Sequence, residues 1–120
     1  MSSSRLVSLW LPVVVWALAI FALSSIPDLG SGLGTWDLVL RKVAHVGEYA
    51  VLGALLVRAL ERDWAALLLG VAYAATDELH QSFVAGRNAS PVDVALDASG
   101  VAVGIAVFRL ARSRRWRWAR

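Results

Sequence analysis

From Leu6 to Pro27 the chain carries no charged residue, and this run constrains everything that follows it. A helix needs about 20 apolar residues to cross the hydrocarbon of a bilayer, and this segment supplies them. It outruns the roughly 7–15 apolar residues of a signal-peptide core, so it reads as an uncleaved membrane helix. Pro12 lies inside it, where a missing amide bends a span without ending it. The 120 residues are 58% AVILMFWYC and 18% charged, a balance rare among soluble domains. Four spans of about 20 residues would use nearly the whole length and leave no room for a water-soluble catalytic domain. With no cysteine, disulfides, thiolate nucleophiles and Cys-ligated metal centres are excluded.

The apolar segments fall at about 6–26, 38–60, 64–83 and 92–110, giving an all-α, integral membrane bundle of four transmembrane helices within residues 1–110. A loop rich in turn formers, Pro27 to Thr35, separates the first two. Glu61, Arg62 and Asp63 make the second turn, with Trp64 at the interface, and Val84 to Pro91 make the third. Ser90 and Pro91 open the fourth helix, with Ser90 capping free amides and Asp93 complementing the positive end of the helix dipole. Gly100 and Gly104 give a G-x-x-x-G spacing suited to close helix contact. Residues 111–120 form a basic tail in which arginines alternate with Trp116 and Trp118.

The formal net charge is +3, and half of the 12 basic residues are the arginines from Arg109 to Arg120. Directly after an apolar segment, arginines and tryptophans suit a phosphate and head-group layer, so no nucleic-acid partner is expected. Arg5, the Arg58/Arg62 turn and the tail share one side of the membrane, and Arg41, Lys42 and Arg87 share the other. The richer side is expected to be cytoplasmic, which places both termini inside.

Three segments carry their polar residues at the opposite, extracytoplasmic depth. At about 100° per residue, Lys42, His45 and Tyr49 fall within about 60° of arc, with Glu48 about 60° beyond. Tyr73, Asp77 and His80 share a similar arc with Gln81 one step aside, and Asp93, Asp97, Gly100 and Gly104 line up on the fourth helix. Glu48, Asp77, Glu78, Asp93 and Asp97 outnumber the fixed cations Arg41, Lys42 and Arg87. One reading makes these groups interhelical ion pairs, with Arg41 or Lys42 on Glu48 and Arg87 on Asp93 or Asp97. The other makes them a functional cavity, since ionisable clusters inside a membrane mark sites.

In the functional reading His45, Asp77, Glu48 and Glu78 are the catalytic candidates, acting by acid–base chemistry. Lys42 and Arg87 would clamp phosphate oxygens, with Tyr49, Gln81, Asp93 and Asp97 lining the substrate. The cofactor is left open: metal-free chemistry is favoured over a divalent metal, whose expected ligands are His45, Asp77, His80 and Asp93.

Ser24-Ser25-x-Pro27, Arg41-Lys42-x-x-His45-x-x-Glu48-Tyr49-x-x-Leu52-Gly53, Asp77-Glu78-x-x-Gln81-x-Phe83-x-x-Gly86-Arg87 and Ser90-x-x-Asp93-x-x-x-Asp97-x-x-Gly100-x-x-x-Gly104 together resemble the VanZ-like family. The motifs cover about three quarters of the chain, in order. The family often has Asp where Arg41 stands, Pro at Ala85 and Asn at Asp97, so an Arg41 to Asp97 pairing is an expectation peculiar to this sequence. The tail lies outside the family pattern.

The resemblance implies a small multi-pass protein of the bacterial cytoplasmic membrane, related to an accessory protein of glycopeptide resistance associated with reduced teicoplanin susceptibility. The expected function is binding of an anionic, lipid-linked cell-envelope substrate or lipid head group in an extracytoplasmic polar cavity. Expected partners are membrane lipids, a lipid-linked envelope precursor or a glycopeptide. Two alternatives remain: an outer-leaflet hydrolase or transferase, and a structural subunit or proton-coupled carrier.

Overall fold

The computed structural model describes residues 2–26, 34–86 and 90–118. Four helices run antiparallel in chain order: α1 (Ser3–Ser24), α2 (Thr35–Leu60), α3 (Asp63–Gln81) and α4 (Pro91–Trp118). Most of the loop expected between α1 and α2, residues 27–33, lies outside the described residues, as do Arg87, Asn88, Ala89 and the last two residues of the tail.

Each helix starts and stops for local reasons. Ser2 caps α1, its Oγ accepting from the Arg5 amide at 3.3 Å. Pro12 donates no amide hydrogen, so the Ser8 carbonyl loses its helical partner. Arg58 of α2 donates to that carbonyl from Nη1 at 3.2 Å, so a neighbouring helix makes up the bond that the proline forfeits. Before α2, Gly34 takes φ +61, a left-handed conformation that favours glycine. At its other end Glu61 adopts φ +62, unusual for a side chain with a Cβ. Arg112 holds the Glu61 carboxylate with both oxygens at 2.9 Å, and Arg109 donates to the Glu61 carbonyl at 3.0 Å and to Asp63 at 2.8 Å. The two-residue α2–α3 turn is thereby tied to α4. Ser90 accepts from the Asp93 amide at 3.3 Å, the cap its position before Pro91 implies.

The closest helix pair is α2 with α4. A methyl group at Gly104 would run into the Ala50 carbonyl, one at Gly100 into the Val46 carbonyl, and one at Gly53 into the Val101 carbonyl. Small residues on both helices let the backbones touch, the arrangement that drives association where lipid tails are as apolar as leucine. Tyr49, Leu52, Leu56, Val57, Ala66, Ala74, Val101 and Ile105 fill the interior, joined by Val13 and Ile20 of α1. The peripheral helix α1 is pinned by two aromatic donors: Trp16 Nε1 to the Glu48 carbonyl at 2.8 Å, and the Tyr73 hydroxyl to the Ala17 carbonyl.

The outside of the bundle is apolar, with Leu11, Val15, Leu18, Leu68, Val103 and Val107 all exposed. Three helices, α1, α2 and α4, are long and apolar enough to cross a membrane. Those features fit a multi-pass membrane protein. The sequence leads one to expect a fourth span, but α3 is outside that set: its 19 residues include Asp63, Asp77 and Glu78. Asp77 and Glu78 are buried inside the bundle, whereas Leu67, Leu68, Leu69 and Leu79 are exposed. Helix α4 also runs eight residues past its expected end at 110, because its alanines, leucines and arginines are strong helix formers with no glycine or proline to stop them. At about 1.5 Å per residue its length is about 42 Å, more than a hydrocarbon core requires.

Candidate functional site

The polar residues of all four helices meet at one end of the bundle, opposite the Arg109/Arg112 end. His45, about one helical turn along α2 from Arg41, stands at the centre. Its Nδ1 lies 2.7 Å from Asp97 Oδ1 of α4. Its Nε2 lies 3.3 Å from the Gln81 amide nitrogen, 3.5 Å from Asp77 Oδ2 and 3.9 Å from Glu48 Oε2. Nδ1 faces Asp97 while Nε2 faces both Gln81 and Asp77, so the imidazole is held from both sides. Tyr49 stands edge-on to the ring with centroids 5.3 Å apart.

Asp77 is 2% exposed, and its Oδ2 accepts from the Tyr49 hydroxyl and from Ser24 Oγ, each at 2.9 Å. Gln81 also donates to Ser24 at 3.3 Å. Ser24 is therefore a member of the polar network that chemistry-based reading of the sequence missed. The available signal was its place in a Ser-Ser pair at the end of a charge-free run. Asp97 and Glu78 are 1% and 5% exposed. Asp77 Oδ1, Glu78 Oε2 and Asp97 Oδ2 are buried and accept no hydrogen bond among the described residues.

A cleft of about 220 Å³ lies at this end, lined by Leu23, Ser24 and Ile26 of α1 and by Arg41, Ala44, His45 and Glu48 of α2; unlike the cavity expected among the second, third and fourth helices, it takes only His45 and Glu48 from the expected site residues. One wall is apolar and the other is charged.

Several expectations change in detail. Asp97 is met by His45 rather than by Arg41, which instead pairs with Asp37 one turn earlier at 2.9 Å. Arg41 and His45 are four residues and about 40° apart on α2, and with Arg41 held by Asp37 it is His45 that meets Asp97. Lys42 bonds Asp93 and not Glu48. His80 leaves the cluster: its Nε2 lies 2.8 Å from Ser25 Oγ, and its ring stacks on Phe21 at 4.2 Å. The expected metal set of His45, Asp77, His80 and Asp93 is thus not assembled. The side chains that do converge are His45, Glu78 and Asp97, whose ligating atoms lie within 4.8 Å of one another. Arg87, expected to bind phosphate, lies outside the described residues.

The sequence model of the VanZ/LLP1 family matches residues 3–112. The chain belongs to the VanZ/LLP1 family. No curated protein and no solved structure was found to match it. In this VanZ/LLP1 protein the family range contains all four helices as far as Arg112, and with them every residue of the His45 network.

One imidazole and three carboxylates, Asp77, Glu78 and Asp97, meet here, and the three carboxylates are buried. Even a charged His45 balances only one of them. The excess calls for protons or for a cation.

Proposed function

We propose that this VanZ/LLP1 protein is a multi-pass protein of the bacterial cytoplasmic membrane that binds the head group of an anionic lipid or lipid-linked cell-envelope substrate at its polar end. The observation that carries the reading is the cleft between α1 and α2, where Leu23 and Ile26 face Arg41, His45 and Glu48. Such a wall pair suits an amphiphile: acyl carbons lie against leucine and isoleucine, while Arg41, bridged to Asp37 at 2.9 Å, would exchange part of that pairing for a phosphate oxygen. All four helices cross the membrane, with the arginine-rich end cytoplasmic by the positive-inside rule. The cleft then opens to the outer leaflet, where envelope precursors and glycopeptides meet. The reading extends to a contribution of this site to teicoplanin resistance.

The test is thermal stability in detergent with a short-chain phosphatidylglycerol. A ligand that binds only the folded state raises the midpoint by an amount that grows with the logarithm of one plus the ratio of ligand concentration to Kd. The midpoint should rise for the wild type and stay flat for Arg41→Ala and His45→Ala, with short-chain phosphatidylcholine inert in all three. Equal shifts in all three proteins would rule out head-group recognition in this cleft.

A second reading, a hydrolase or transferase of the outer leaflet, is favoured by one contact. Asp97 fixes His45 through Nδ1, which leaves Nε2 as the exchanging nitrogen, the division of labour that acid–base catalysis uses. Consumption of a lipid-linked pyrophosphate by the purified protein, lost in Asp97→Ala, would decide for it. Binding without turnover would decide against it.

A further inference from the structure

We propose that His45, Glu78 and Asp97 form a binding site for one divalent metal ion of the zinc class. The three residues come from three helices, α2, α3 and α4, and their ligating atoms already lie within 4.8 Å of one another. Metal–ligand bonds of about 2.0–2.2 Å in tetrahedral coordination put ligand atoms about 3.3–3.6 Å apart, so closing the site needs a side-chain movement of up to about 1.3 Å.

The second observation is independent of that convergence. Glu78 Oε2 and Asp97 Oδ2 are buried oxygens that accept no hydrogen bond among the described residues, in residues 5% and 1% exposed. Carboxylate oxygens deep in a protein are otherwise hydrogen-bonded or bound to metal. Nearby cations are already engaged, Lys42 by Asp93 and Arg41 by Asp37. Asp77 also keeps one buried oxygen without a hydrogen bond among the described residues, but Ser24 and Tyr49 hold its Oδ2 and it stands outside the group of atoms within 4.8 Å, which suits a supporting carboxylate.

One imidazole and two carboxylates make a donor set for zinc or manganese and leave coordination positions open, the mark of a reactive rather than a purely structural site. His45 also lines the cleft. An ion beside it turns an acidic floor into one that attracts phosphate oxygens. The inference stands on the cluster alone and holds whether or not a lipid enters the cleft.

The experiment is calorimetric titration of ZnCl2 into the full chain in detergent, after removal of any affinity tag and stripping with a chelator. The wild type should bind one equivalent. Glu78→Gln and Asp97→Asn should weaken binding at least 10-fold, while His80→Ala, outside the cluster, should match the wild type. Asn at position 97 keeps an acceptor for His45 Nδ1, and the helical circular dichroism of each variant shows whether it folds. Co2+ absorption supplies a second readout, since visible bands lost in Glu78→Gln report coordination directly. No stoichiometric binding of Zn2+ or Mn2+ by the wild type would overturn the inference, as would equal affinity in the wild type, Glu78→Gln and Asp97→Asn. Because no lipid is present in the titration, its outcome is separate from that of the head-group test.

Discussion

Pro12 removes one amide from α1, and a side chain of another helix fills the gap: Arg58 donates to the Ser8 carbonyl at 3.2 Å. The two residues should therefore be coupled. Arg58→Ala should cost about 1 kcal/mol, the usual net worth of such a bond, and the cost should largely vanish in a Pro12→Ala background, where the substituted residue supplies its own amide. Chemical denaturation of the four proteins of this cycle measures it, and equal costs in both backgrounds would refute the coupling. At the same scale, neighbours in sequence are sent to different tasks. Arg41 lines the cleft toward α1 while Lys42 reaches Asp93 on α4. His80 stacks on Phe21 while Gln81 meets His45. One helical step of about 100° separates each pair, and rotation about the helix axis, set by packing, decides which residue enters the site.

Among the elements, α2 and α4 make the structural spine. Gly104 faces the Ala50 carbonyl with no space for a Cβ, so Gly104→Val should force the helices apart. A loss of about 1–3 kcal/mol, typical of overpacking, is expected, while Gly47→Ala should be tolerated because its position meets nothing within 4 Å. Thermal denaturation in detergent compares the two; similar midpoints would count against the glycine seam. This seam was legible in the sequence as the Gly100/Gly104 spacing, and so were the Ser90 cap and the shared depth of His45, Asp77 and Asp97. These are properties of spacing along one helix. The partners chosen across helices were not legible: the expected Arg41 to Asp97 pair gave way to a local Arg41–Asp37 bridge. Nor was the entry of Ser24 into the Asp77 network legible, because a serine that closes a helix usually bonds its own backbone. Neighbouring Ser25 does so, donating to the Phe21 carbonyl at 2.8 Å.

The whole molecule is a bundle with two unlike ends, 52 Å along its longest axis. At one end Arg109 and Arg112 tie α4 to Glu61 and Asp63, while Trp116 and Trp118 are exposed beyond them. At the other a polar cluster is enclosed by apolar walls. The proposed orientation is simple to test because the chain has no cysteine. A cysteine at exposed Phe83 should react with an impermeant maleimide in intact cells, whereas one at Ser113 should react only after the membrane is opened; the reverse pattern would invert the topology.

The account turns on whether the polar end holds a ligand or only holds the helices together. Native mass spectrometry of the protein released from nanodiscs rich in phosphatidylglycerol addresses this directly, comparing the wild type with Arg41→Ala and His45→Ala. The account predicts a wild type carrying an anionic-lipid mass that both variants lose while remaining folded. A bare mass in all three, or the same lipid retained by all three, would contradict it.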